Sequence, residues 1–180
     1  MNPLDLVSAW IDAGISFVQV RAKTLSDLET WNFAESVRKV TCDDGIILTI
    51  NGRLDIALGL DFEGVHFPSK GLPIQKVREK YPQLVLVSSC HNGEDIKASG
   101  AADAITLSPV FNTLSKHDDR RTPLSLEHFD ALQKTFEGTC YALGGIEEDK
   151  LGLLGQRSIA SLGYLCCEKA YEHASVLIQR

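Results

Sequence analysis

Short apolar runs alternate with stretches of helical periodicity along the whole chain. The runs at 15–20, 45–50, 63–67, 84–88, 103–107, 140–143 and 158–162 are brief and rich in β-branched residues. That is the pattern of strands buried on both faces of a parallel sheet. The stretches between them predict helices over 3–13, 25–40, 53–59, 73–80, 92–99, 124–136, 147–154 and 166–179. In the first of these, Leu4, Val7, Trp10 and Ile11 fall on one stripe. Start signals mark others: Thr24 and Ser26 precede Asp27 and Glu29, and Asn92 precedes Glu94 and Asp95. Pro73 and Pro123 stand where a first helical turn accepts proline. Gly14 and Gly100 stand where a helix ends.

Alternation at this spacing predicts an α/β fold, either a TIM-type (β/α) barrel or a doubly wound open sheet. A dinucleotide-binding sheet would carry Gly-x-Gly-x-x-Gly after its first strand, and none occurs. The pattern opens on a helix and counts seven parallel strands and eight helices, which predicts a (β/α) barrel lacking its first strand. No linker or low-complexity segment interrupts it, so 1–180 is expected to be one domain. The strands at 15–20 and 158–162 would then have unpaired edges, which invite association. A gap, or a homodimer in which a second copy covers the gap, is expected in preference to direct closure.

Composition narrows the partners. A net charge of −6 and a pI near 5.3 argue against nucleic acid. No apolar run approaches the roughly 18–20 residues that span a bilayer, and Met1-Asn2-Pro3-Leu4-Asp5 has no basic leader region, so a cytoplasmic location is expected. The five cysteines are odd in number and form no Cys-x-x-Cys, which argues against zinc or a disulfide framework. Cys166 and Cys167 read as buried or helix-facing thiols.

The chemistry concentrates in two places. Pro109-Val110-Phe111-Asn112-Thr113-Leu114-Ser115-Lys116 follows the strand at 103–107, and Gly144-Gly145-Ile146 follows the strand at 140–143. Hydroxyls, an ammonium and backbone N–H groups at a helix start are the parts of a phosphate site. At the C-terminal ends of successive parallel strands they point to a phosphorylated small molecule as ligand.

Together with Gln19-Val20-Arg21-Ala22-Lys23, Asn51-Gly52-Arg53-Leu54-Asp55, Gly64-Val65-His66 and Ser89-Cys90-His91, these motifs occur in the order seen in thiamin phosphate synthase and its relative TenI, a thiazole tautomerase. The chain resembles that superfamily from residue 3 to about 165. The resemblance implies a (β/α)8-type fold. It implies that Gln19, Arg21 and Lys23 occupy the strand end that holds a pyrimidine diphosphate in the synthase, and that Ser89 matches a pocket serine. It places Thr113, Ser115, Lys116, Gly144, Gly145 and Gly163 around a phosphate. The run 116–121 is similar to a loop that closes over substrate.

The synthase uses two aspartates for magnesium. Gly52 and Gly71 stand at those positions, and the surrounding residues resemble TenI, which moves a proton without a metal. The resemblance therefore implies no metal and no cofactor. It implies a phosphorylated thiazole as ligand, oriented by Arg21, Lys23 and Asn51, with His66 or His91 as proton carrier. The TenI histidine credited with that task falls where this chain has Pro109. The alternatives are a thiamin phosphate synthase and a catalytically inactive phosphate-binding or regulatory barrel.

Overall fold

The computed structural model describes residues 2–41, 45–112, 122–162 and 164–179. Every expected element is present among them. The strands are β1 (Phe17–Val20), β2 (Ile47–Asn51), β3 (Gly64–Phe67), β4 (Val85–Cys90), β5 (Ala104–Leu107), β6 (Thr139–Leu143) and β7 (Ile159–Ala160). The helices are α1 (Pro3–Asp12), α2 (Asp27–Val40), α3 (Leu54–Gly59), α4 (Ile74–Lys80), α5 (Gly93–Ala98), α6 (Leu126–Gln133), α7 (Glu148–Leu154) and α8 (Ala170–Ile178). The seven strands form one sheet in chain order, with β1 and β7 at the two ends of that order and parallel pairing in the ladders. This is the TIM-type (β/α) arrangement, and residues 3–12 form a helix rather than a further strand.

Side-chain caps set the helix starts. Asn2 accepts from the Leu4 N–H, with Pro3 following it. Ser26 and Glu29 make a reciprocal capping box on α2. Asn92 caps α5 through the Asp95 N–H. The starts of α6 and α8 fall at 126 and 170, later than the expected 124 and 166. α6 begins after Ser125, whose hydroxyl accepts from the His128 N–H at 3.2 Å, so Pro123 lies ahead of the helix instead of in its first turn. α8 begins at Ala170. Cys166 and Cys167 lie in the turns before it, and Cys166 is exposed. The apolar anchors there are Tyr164 and Leu165, both buried, and the Leu165 carbonyl accepts from Trp10 Nε1 at 3.0 Å.

Two compact units divide the chain: residues up to His66 together with those from Leu165, and residues 67–164. In the first unit, Val18, Val20, Leu48, Ile50 and Val65 are buried on one face of their strands. Phe17, Gln19, Thr49, Asn51 and His66 alternate with them onto the other face. In the second unit, Leu86, Ser88, Cys90, Ile105, Leu107, Cys140 and Ala142 are buried on one face, where Ser88 and Cys90 bond the hydroxyl of Ser99 at the end of α5. Val87, Ser89, Thr106 and Tyr141 take the opposite face.

A charged clamp recurs once in each unit. Glu63 accepts from the Leu48 N–H at 2.9 Å and from Arg38 at 2.8 Å. Asp103 accepts from the Leu86 N–H at 2.7 Å and from Arg78 at 2.6 Å. In both, an acid just ahead of a strand bonds an N–H near the start of another strand, and an arginine on a preceding helix balances its charge.

Candidate functional site

In the first unit the site is a chain of three side chains. Gln19 sits beside Thr49 in the β1–β2 register, and Asn51 beside His66 in the β2–β3 register. Gln19 Nε2 donates to Asn51 Oδ1 at 3.3 Å, which turns Gln19 Oε1 toward His66 Nδ1 at 2.7 Å. A carbonyl oxygen accepts, so the ring carries its proton on Nδ1 and Nε2 is the basic nitrogen. His66 is 5% exposed. Burial, then the positive charge of Arg21, brings its pKa down from 6.5 to about 4. The ring is neutral at pH 7, suited to hydrogen bonding and weak as a base. Arg21 and Lys23 follow β1 and are exposed, two cations one residue apart.

Gly52 follows Asn51 with φ +70°, and its N–H donates to the His66 carbonyl at 2.9 Å. It thereby ties the end of β2 to the residue that carries the imidazole. The nearby acids are committed elsewhere: Arg53 holds both Asp27 and Asp55 at 2.7 Å.

The second unit carries a different cluster. His91 follows β4, half-buried, with its N–H donated to Asp95 at 2.8 Å. Its Nδ1 lies 2.7 Å from the Ser108 carbonyl and 3.3 Å from the Ser108 hydroxyl. A carbonyl oxygen only accepts, so this contact places a ring proton on Nδ1. Ser108 precedes Pro109 through a cis peptide bond. Ser89, in β4, lies on the strand face shared with Thr106 and Tyr141.

The segment after β5 and the glycine pair after β6 are bonded to each other. The Val110 N–H donates to the Leu143 carbonyl at 2.9 Å and the Phe111 N–H to the Gly144 carbonyl at 3.0 Å. Gly144 and Gly145 have φ of +104° and +64°. A Cβ at Gly145 would collide with the Asn112 carbonyl oxygen and come within 2.8 Å of the Phe111 carbonyl carbon. No other residue fits there without moving backbone. The pair does not itself open a helix, however. α7 begins at Glu148, with Glu147, Glu148 and Asp149 at its start, so its own carboxylates face that end of the dipole. Thr113, Ser115, Lys116 and Gly163, and the 116–121 loop, lie outside the described residues.

Two contributors escape a reading of motifs. Ser108 orients His91 from 17 positions away. Lys150 Nζ donates to the Gly145 carbonyl at 3.2 Å and lies 5.8 Å from the centre of the Phe111 ring, which brings a cation to the glycine turn. Its position one turn into a helix ahead of β7 carries no sequence signal for that contact.

The described residues do not fit a magnesium site of the synthase kind. Gly52 supplies no carboxylate, and a Cβ at Gly71 would stand 2.9 Å from the Pro68 carbonyl oxygen in a tight turn. No group of three or more His, Cys, Asp or Glu residues among them is arranged to hold a metal. No helix among them is long and apolar enough to cross a membrane.

Comparison with known proteins agrees with this architecture. A family model described as Thiamine monophosphate synthase matches residues 1–162. A "Putative thiamine-phosphate synthase 2" of Aquifex aeolicus (strain VF5) is 35% identical over 152 residues, covering 83% of this chain and 81% of that protein. A thiamine-phosphate synthase of Methanococcus maripaludis is 30% identical over 138 residues, which cover 76% of this chain and 66% of that protein. A solved structure of thiamine phosphate pyrophosphorylase from Pyrococcus furiosus superposes with a TM-score of 0.84 at 21% identity, over 99% of this chain and 88% of that one, and so shares the fold. With the glycine-paired loop after β5 and the Gln19–His66 cluster in place, the match over residues 1–162 means that this chain belongs to the thiamine monophosphate synthase family, a family of thiamine biosynthesis.

Proposed function

We propose that this chain is a TenI-like member of its family. It binds a phosphorylated thiazole and catalyses metal-independent proton transfer on it. The observation that carries this reading is the backbone at the two positions where the synthase pattern needs aspartate. Gly52 holds φ +70° while donating to His66, and Gly71 closes a turn in which a Cβ would press on the Pro68 carbonyl. Pyrophosphate departure needs its charge neutralised by a hard cation with oxygen ligands. Moving one proton does not.

In the second unit the Gly144–Gly145 turn, Lys150 and the segment leading to Thr113, Ser115 and Lys116 supply the phosphate end, with Gly163 as a further N–H donor. His91, its Nδ1 proton held by Ser108, is the proton carrier. In the first unit Gln19, Asn51 and neutral His66 supply directed hydrogen bonds, with Arg21 and Lys23 for an anionic group. A second copy of the chain pairing at the strands that end the sheet order belongs to the same reading, and a monomeric mass by light scattering would remove that part.

The second reading, a thiamin phosphate synthase, is favoured by the names of the relatives. One experiment separates the two. The purified chain is given thiazole carboxylate phosphate alone, or hydroxymethylpyrimidine diphosphate with thiazole phosphate, each with magnesium and with EDTA. Conversion of the thiazole carboxylate phosphate to its aromatic tautomer in EDTA supports the proposal. Magnesium-dependent thiamin phosphate supports the synthase. Binding without turnover of either set identifies a ligand-binding barrel.

A further inference from the structure

Thr106 lies in the middle of β5, 4% exposed, and its hydroxyl has no hydrogen-bond partner. Its neighbours in sequence, Ile105 and Leu107, are fully buried on the opposite strand face. Leaving a buried hydroxyl unpaired costs about 1–3 kcal/mol, whereas a valine of the same shape would carry no such penalty. A sheet of this kind has no structural need for a hydroxyl there.

The register shows what surrounds it. Ser89 of β4 and Tyr141 of β6 stand directly across from Thr106, one on each side, on the same face. Both are half-buried, which makes them the open ends of the row. Burial also pushes the Tyr141 phenol above its usual pKa, so it remains a donor. Two residues on, just past the end of β5, comes Ser108, which holds His91. The row is made of uncharged hydroxyls. A carboxylate placed on it would lose water without gaining a cation, whereas a neutral acceptor atom would gain a donor.

We infer that the Ser89–Thr106–Tyr141 row is a recognition subsite for an uncharged heteroaromatic ring, with the Thr106 hydroxyl donating to a ring lone pair. This rests on the thiazole-phosphate reading and adds to it the residue that selects the ring. Binding gives the Thr106 hydroxyl the partner that the ligand-free protein withholds.

The test is Thr106→Val, with Thr106→Ser as the conservative control. Thiazole phosphate and inorganic phosphate are titrated calorimetrically, and the ligand-free melting temperature is measured. The valine variant is expected to melt above wild type when ligand-free, because the orphaned hydroxyl is gone. Its thiazole-phosphate affinity should fall about 5- to 30-fold, the worth of one buried hydrogen bond. Inorganic phosphate should bind it as it binds wild type, and the serine variant should retain thiazole-phosphate affinity. Unchanged thiazole-phosphate affinity in the valine variant overturns the inference while leaving the functional reading standing. A lower ligand-free melting temperature also overturns it, since the hydroxyl would then have a structural partner such as a buried water. A wild-type protein that binds inorganic phosphate and not thiazole phosphate defeats the functional reading, and this inference with it.

Discussion

Gln19 Oε1 lies 2.7 Å from His66 Nδ1, and this bond joins β1 to β3 across the intervening β2. It holds one tautomer of a buried imidazole whose pKa has dropped from 6.5 to about 4, through burial first and the charge of Arg21 second. The unfolded chain takes up a proton near pH 6.5 while the folded chain resists until about pH 4. The stability this group contributes is therefore complete above its unfolded pKa and is lost as pH falls through that window. The integrated effect is on the order of 3 kcal/mol. Urea melts from pH 7 to 4 should show a shallower decline in His66→Gln than in wild type. Parallel curves would mean that His66 is not the group responsible.

Gly145 is expected to be the least replaceable position in the glycine turn after β6. Its φ of +64° and the backbone that a Cβ would meet make even alanine strained. Gly145→Ala should lose about 1–3 kcal/mol of stability. Gly145→Asp should in addition weaken thiazole-phosphate binding through a misplaced negative charge. Equal calorimetric affinity for wild type and Gly145→Asp would remove the turn from the site.

Asp103 serves two partners at once, the Leu86 N–H and Arg78. Its side chain is half exposed, so the ion pair itself is worth little. The strand N–H is what matters. Asp103→Ala should cost about 1–3 kcal/mol in chemical denaturation by leaving that donor unpaired. Asp103→Asn, which keeps an oxygen acceptor for the strand N–H and loses only the charge, should cost distinctly less. The reverse order would make the ion pair the dominant partner.

The cysteines should divide sharply by reactivity. Cys166 is exposed, whereas Cys90 and Cys140 are buried, and desolvation raises the Cys140 thiol to about 11. Iodoacetamide at pH 8 followed by peptide mass mapping should modify Cys166 first and leave Cys90 and Cys140 unmodified until the protein unfolds. Early labelling of Cys140 would contradict the packing of β6.

The order of elements was readable in the chain because it depends on local physics. Period-two and period-3.6 patterns, Ser26, Asn92 and Gly14 each act within a turn or two of their own positions, so the seven strands and eight helices among the described residues were predictable in type and order. The motifs that carry the family resemblance were equally visible, since each is contiguous. Beyond that reach, tertiary structure decided. Nothing local says that Ser108 orients His91, that Lys150 reaches the Gly145 carbonyl, or that Asn112 leaves no room for a Cβ at Gly145. α8 begins at Ala170 rather than at 166, after a turn whose Leu165 carbonyl is bonded by Trp10 from 155 positions away, a contact no local pattern shows. His66 was readable as a strand-end histidine, but its neutrality at pH 7 follows from its depth and from Arg21. Both are properties of packed neighbours rather than of sequence, because desolvation and charge act through space.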